Sequence, residues 1–288
     1  LTAPPAGINA PPDRIRFTRD GASGVEAIRA RFAGHAYDLH RHDDWLVGVT
    51  DRGVQDFFCR GARQRSTPGR VILIEPGEMH DGQAGNAGGF AYSMLYLPPA
   101  WLRAGLAGAP GGDPAFRATL SDDAALGGAV RAACSALAEP AGRLARDAAL
   151  DAVLRLLRRH LGRPERRATA QNDAPVARRA RERLHDEMDR DIGADALARA
   201  AGAADRFQLA RAFRAAYGAS PHAYLVQIRL LRARAMLAGG ERPAAVAAAC
   251  GFADQSHLGR WFRRSYGLTP AAYRACCTGV PDNGADIG

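Results

Sequence analysis

Two kinds of side chain in this 288-residue chain stand at spacings that can do chemistry. The first is arginine on a helical period. Arg211 and Arg214 recur 49 residues later as Arg260 and Arg263. A guanidinium is a planar fork that pairs with O6 and N7 of guanine and equally with phosphate oxygens. The second is histidine among short runs of β-branched and aromatic residues: His40, His42 and, further on, His80. Three imidazoles on adjacent strands can hold Zn²⁺, Fe²⁺ or another divalent ion. They can equally be hydrogen-bonding members of a small-molecule pocket, or structural residues. Trp45, Tyr92 and Tyr96 lie in the same runs and complete the candidate pocket wall.

The arginines belong to a repeat. Asp205–Tyr224 and Asp254–Tyr273 share ten of twenty residues at the constant offset, and Gly202 matches Gly251. A repeat this dense marks one structural unit used twice. Asp205 and Asp254 are placed to cap a helix, and Gly218 and Gly267 to end it in a left-handed turn. Leu209, Ala212, Phe213 and Ala216 form one apolar stripe, repeated by Leu258, Trp261, Phe262 and Ser265. At 100° per residue, Phe207, Arg211 and Arg214 lie roughly 160–200° from that stripe. Ser256, Arg260 and Arg263 hold the same face in the second copy. No acid follows either cap, which is unlike a solvated helix with i,i+4 pairs.

Ahead of each Arg-faced helix stands a short Ala-rich one and a glycine: 195–202 and 243–251. That is a helix-turn-helix pattern. Ser220-Pro221 begins a joining helix that runs to Gly239-Gly240, roughly 27 Å at 1.5 Å per residue. Helices at its two ends could enter successive major grooves, about 34 Å apart, on one face of a duplex.

On the runs R-F-Q-L-A-R-A-F-R-A-A-Y-G-A-S-P-H-A-Y-L and A-A-A-C-G-F-A-D-Q-S-H-L-G-R-W-F-R-R-S-Y-G-L-T-P-A-A-Y-R, the C-terminal third resembles the DNA-binding domain of AraC/XylS bacterial transcription regulators. The resemblance implies two helix-turn-helix units joined by a long helix. It implies base contact by Phe207, Ala210 and Arg211 in the first unit and by Gln255, Ser256 and Arg260 in the second. Ala210 departs from a polar reader and offers at most contact with a thymine methyl. Arg206, Arg214, Arg229, Arg263 and Arg264 are assigned to phosphates.

Charge agrees with an anionic partner. The chain carries a formal net charge of +9. Residues 175–277 hold 17 arginines against 9 acids, which is most of that excess and the electrostatic footprint of a DNA-binding half. All the basic residues are arginine; with the Ala and Gly richness, that choice over lysine reflects genome composition. The five cysteines lack C-x-x-C spacing and fit a reduced, cytoplasmic protein. The first twenty residues read as no secretory signal, and no apolar run reaches the 18 residues of a membrane span.

From residue 14 to 98 the pattern is β: 45–50, 54–58, 71–74 and 90–97 are strand-like, with Gly and Pro turns between. The segments H-A-Y-D-L-H-R-H-D-D-W and P-G-R-V-I-L-I-E-P-G-E-M-H resemble the cupin-like sensor domain of the same regulators. Gly34, His40 and His42 fit the opening of the cupin metal motif, and His80 falls where its second part places a histidine. The glutamate expected soon after His42 is replaced by Asp43, Asp44 and Trp45. The regulators that this domain resembles usually lack a metal.

The fold expected is therefore multidomain. Residues 1–13 form a flexible arm, 14–98 an all-β cupin-like sensor barrel, and 99–162 appended amphipathic helices for support or dimerisation. Residues 163–175 form a linker, 176–276 an all-α double helix-turn-helix domain, its first helix over 176–189, and 277–288 a tail. The function expected is sequence-specific transcription regulation under a small molecule in the barrel, without enzyme activity, catalytic residues or cofactor. Double-stranded DNA, the effector, a second copy of the chain and RNA polymerase are the expected partners, and activation is what the family implies. The alternatives are a metal-dependent cupin oxygenase or isomerase with a DNA-binding domain, and a DNA binder without ligand response.

Overall fold

A computed structural model describes residues 13–106, 114–138, 142–162 and 175–278. Nearly all of the expected linker, arm and tail lies outside these residues; Pro175, the last residue of the expected linker, begins a helix instead. The chain divides into two compact units, one built from the elements up to Gly162 and the other from those beginning at Pro175.

The first unit begins with nine strands: β1 (Arg14–Arg19), β2 (Glu26–Phe32), β3 (His35–His40), β4 (Trp45–Gly53), β5 (Gln55–Cys59), β6 (Ala62–Ser66), β7 (Val71–Ile74), β8 (His80–Ala84) and β9 (Phe90–Leu97). Then come α1 (Pro99–Gly105), the short β10 (Ala115–Phe116) and β11 (Leu120–Ser121), α2 (Ala124–Ala138), α3 (Arg143–Leu157) and β12 (Leu161–Gly162). One sheet has the order β1-β2-β9-β4-β7-β11, a second β3-β8-β5-β6, and β10 pairs with β12. Every pairing is antiparallel. The two larger sheets pack face to face around a small interior, the construction of a cupin-like barrel.

The six-stranded sheet is buried on both faces, and the period of two decides which side chain goes where. On β4, Leu46 faces the other sheet, while Trp45, Val47 and Val49 face a helical layer. On β7 and β9, Ile72, Ile74, Met94 and Tyr96 point inward, and Val71, Leu73, Leu95 and Leu97 outward. Leu126, Val130 and Ala133 of α2, with Leu150, Val153, Leu154 and Leu157 of α3, cover the outward set. Fully burying each such Leu or Val is worth about 1.5–3 kcal/mol. The α3 stripe is thus spent inside its own unit. A dimer built on that stripe, which its amphipathic pattern allows, is closed off; of α3's large apolar side chains only Leu144 is strongly exposed, at 82%.

The second unit is helical: α4 (Pro175–Asp186), α5 (Ala194–Ala201), α6 (Arg206–Tyr217), α7 (Pro221–Ala238), α8 (Pro243–Ala249), α9 (Gln255–Tyr266) and α10 (Pro270–Thr278). Leu209 and Phe213 join Leu184, Leu197, Leu225 and Ile228 in one core. Leu258 and Phe262 are buried in the second copy, with the Phe262 ring 5.5 Å from that of Tyr273. α7 serves both copies and is buried on most sides, from Tyr224 to Leu237. The first helix stops at Asp186, three residues short of the sequence expectation. Arg229 of α7 binds the carbonyls of Met188 (2.6 Å) and Arg190 (2.8 Å), which takes both out of a helical ladder.

Candidate nucleic-acid interface and sensor interior

The caps read from sequence hold each Arg-bearing helix. The Asp205 carboxylate accepts from the Gln208 amide at 2.6 Å, and Asp254 from that of His257 at 2.6 Å. The Ser220 hydroxyl accepts from the Ala223 amide at 3.2 Å and starts α7. Gly202, Gly218, Gly251 and Gly267 all take positive φ, between 70° and 75°. At Gly251 the reason is also steric. A Cβ there would sit 2.7 Å from the Asp189 carbonyl oxygen and 2.9 Å from the Arg229 guanidinium.

With Leu209 and Phe213 turned into the core, the opposite face of α6 faces outward. Phe207 is 60% exposed, Arg206, Arg211 and Arg214 are exposed, and Ala210 is half-buried. On α9, Gln255, Ser256, Arg260, Arg263 and Arg264 are exposed. The Arg206 guanidinium lies over the Phe207 ring, 5.0 Å from its centroid, an arrangement that holds both side chains. Beyond the Asp205 and Asp254 caps, whose carboxylates offset the partial positive charge of each N-terminus, no acidic residue lies in the first turn of either helix.

Arg229 stands apart from this group. It is half-buried, its bonds to Met188 and Arg190 occupy the guanidinium, and burial depresses its pKa against the opposing pull of Asp191 and Asp189. Its assignment to phosphate is corrected: Arg229 staples α7 to the loop between α4 and α5. The sequence signal was composition alone, which cannot separate a structural arginine from a surface one.

In the first unit, His40, Tyr92, Tyr96 and His80 line the interior between the sheets, with Tyr37, Gln55, Phe57, Ile72 and Met94. The cavity left is about 20 Å³, room for about one water. The Tyr37 and Tyr92 hydroxyls meet at 2.5 Å, and burial raises both phenols well above the ordinary tyrosine range. Trp45 is not on this wall. Its ring packs edge-on against Phe116 at 5.0 Å on the helical side of the sheet, so its place in the pocket is corrected. The odd-numbered register of β4 carries it outward. Gln55 is a residue that sequence reasoning missed, since a strand glutamine carries no distinguishing pattern.

The three histidines come together. All are buried, and one ring nitrogen from each lies within 4.8 Å of the other two. His40 Nε2 and His42 Nε2 are 3.0 Å apart. His40 Nδ1 meets the Asp38 carbonyl at 2.6 Å, and His80 Nδ1 the Glu78 carbonyl at 2.9 Å. Burial lowers the His80 pKa, which favours the neutral ring. Beside them, Arg60 donates to Glu78 (3.0 Å), to Glu75 (2.5 Å) and to the Phe116 carbonyl (3.1 Å), tying the β5–β6 turn to β10.

Residues 23–154 match the family model of an AraC-like ligand binding domain, and residues 197–275 that of a helix-turn-helix domain. Among solved structures, ToxT from Vibrio cholerae O395 is similar over 93% of this chain and 98% of its own, with TM-score 0.53 and 11% identity. Unsaturated fatty acid bound wild-type ToxT from Vibrio cholerae strain SCE256 is similar over 94% and 97%, with TM-score 0.51 and 12% identity. At these identities the likeness is one of fold. The DNA-binding domain of AdpA, in complex with a target DNA, is 31% identical over 35% of this chain and 90% of its own, with TM-score 0.33. No curated protein gives a significant match.

Proposed function

Because the chain belongs to the AraC family of transcription regulators, we propose that it reads double-stranded DNA sequence-specifically under the control of a small molecule bound by its N-terminal unit. The observation that carries the reading is the matched pair of outward arginine faces on α6 and α9, each fixed by an Asp cap and a glycine stop. The 18 residues of α7 span roughly 27 Å, a separation suited to consecutive major grooves. Arg211 and Arg260 take guanine edges, with Phe207, Ala210, Gln255 and Ser256 beside them. Arg206, Arg214, Arg263 and Arg264 take phosphates and set the register. A DNA partner places the protein in the cytoplasm, where a second copy and RNA polymerase are the further partners that regulation calls for. Among the described residues no helix is long and apolar enough to cross a membrane.

The sensor side works by a change of population. An interior of about 20 Å³ is far below the ~300 Å³ of an organic ligand pocket. An organic effector therefore binds a barrel whose sheets have opened, and shifts the protein toward that state by its preference for it.

The test is binding to the selected cognate site and to random duplex across a salt series. Arg260→Ala loses about 1–3 kcal/mol on the cognate site and relaxes preference at one base pair. Arg263→Ala weakens both duplexes alike and lowers the salt slope by about one. Equal losses of Arg260→Ala on cognate and random DNA refute its role as a base reader.

A further inference from the structure

We infer that the outer face of the six-stranded sheet holds a binding site for a small dianionic organic molecule, a dicarboxylate or a phosphate ester, gripped by Arg14, Arg29, Arg31 and Arg131. The site lies on the side of the sheet away from the barrel interior. The inference rests neither on an effector in that interior nor on DNA binding by the second unit.

Strand alternation builds the site. The residues of β2 and β9 that face the helical side are Ala27, Arg29 and Arg31, and Ala91, Ser93, Leu95 and Leu97. The apolar ends of both strands join the core under α2 and α3. Their other ends, with Arg14 of β1 and Arg131 of α2, line an open groove of about 450 Å³. That volume is within the range of small-molecule sites. Ala91 and Ser93 contribute only small side chains to it.

Charge is the second support. The register sets Arg14 directly opposite Arg31 and Arg16 opposite Arg29, in neighbouring rows of one face. Like charges so paired are destabilising. Neither row continues into an acid, because Ala91 and Ser93 follow on β9. Charge on β1 alone is what an edge strand carries against pairing with another chain. But β2 is interior to the sheet, and Arg131 comes from a helix, so edge protection does not account for the set.

The third support is that the acid lining the groove is already engaged. Asp51 accepts from Arg131 Nε at 2.6 Å and from the Ser93 hydroxyl at 2.7 Å. Arg29 donates through Nη2 to the Arg131 carbonyl at 3.1 Å and to the Ser135 hydroxyl. These bonds hold Arg29 and Arg131 in place and leave each with further N–H donors. Among the described residues, Arg14, Arg29 and Arg31 form no ion pair. A guanidinium fork matches the oxygens of carboxylate and phosphate alike. A dianion answers the guanidinium groups that Asp51 does not neutralise, and it bridges β1 and β2 to α2.

The experiment measures binding of succinate and of glycerol 3-phosphate to the full-length protein by equilibrium dialysis, with glycerol as the neutral control. Ionic strength is held constant, since salt screens an open site. One equivalent of at least one anion is expected, and no glycerol; which anion binds separates a carboxylate source from a phosphate source. Arg14→Gln and Arg31→Gln, both at exposed positions, are expected to weaken binding roughly tenfold each, the loss of one charge-assisted hydrogen bond. Arg155→Gln, exposed on α3, is expected to leave it unchanged. Arginine modification by phenylglyoxal, read by mass spectrometry on the wild type, locates the anion without any variant. Protection at Arg14 and Arg31 is expected, with Arg155 modified as before. Binding of neither anion at millimolar concentration, wild-type affinity in both groove variants, equal protection at Arg155, or protection of the groove by duplex DNA alone overturns the site.

Discussion

Gly251 and Gly218 take nearly the same left-handed backbone, φ 75° and 71°, yet replacing them with alanine should differ sharply in cost. At Gly218 a Cβ meets nothing within 4 Å. Gly218→Ala carries only the left-handed penalty of an L-residue, about 1–2 kcal/mol. At Gly251 the same penalty applies, and the Cβ also stands 2.7 Å from a backbone oxygen and 2.9 Å from the Arg229 guanidinium. Relief requires the Asp189 carbonyl to move, and with it the loop that Arg229 binds at Met188 and Arg190. A hydrogen bond to a charged group contributes about 1.5–3 kcal/mol, so losing one of the two brings Gly251→Ala to about 3–5 kcal/mol. A difference of about 2 kcal/mol corresponds to roughly thirtyfold between the changes in opening equilibrium at the two sites, each in its own helix-turn-helix. Hydrogen exchange read by mass spectrometry measures each opening within the full chain, from peptides of α8 and α9 for Gly251→Ala and from peptides of α6 for Gly218→Ala. Equal loss of protection in the two variants, or no loss in Gly251→Ala, refutes the steric account of this turn.

Arg60→Ala should destabilise the first unit by about 3–5 kcal/mol, because it leaves the Glu78 and Glu75 carboxylates without the guanidinium they share. Arg60→Gly relieves the positive φ of 54° at that position and should still lower the thermal midpoint; a midpoint at or above wild type contradicts the ion network as the cause. Asp123 caps α2 through the Leu126 amide (3.0 Å) and meets His160 Nε2 at 3.0 Å. The bond to His160, then the cap, holds its carboxyl below the ordinary range. A depressed carboxylate contributes stability above its unfolded pKa near 4 and loses it as pH falls through the folded value. Asp123→Asn should therefore flatten the acid limb of a pH–stability curve below about pH 4; an unchanged limb removes Asp123 from the acid response.

The elements legible in the sequence are those fixed by neighbours a few residues away. An Asp cap, a glycine stop and a stripe at i, i+3, i+4 and i+7 are local facts, and the helical period carries them directly into which face of α6 and α9 is buried. The duplication doubled that signal. The alternation along β4, β7 and β9 was equally readable as two faces. It could not say which face was the barrel interior, because both sides of the six-stranded sheet are apolar.

That choice belongs to the tertiary structure. Packing of α2 and α3 on one side put Trp45 in the helical layer and left Leu46 to the interior. Burial turned Arg229 from an apparent phosphate ligand into a staple. The interior's size depends on how two sheets close over Tyr37, Tyr92 and Met94. The convergence of His80 with His40 and His42 depends on β3 pairing with β8 across about forty residues of chain. Sequence determined the kinds of groups and their periodic faces. Long-range packing alone decided which of them meet, since no local rule specifies a neighbour brought from another strand.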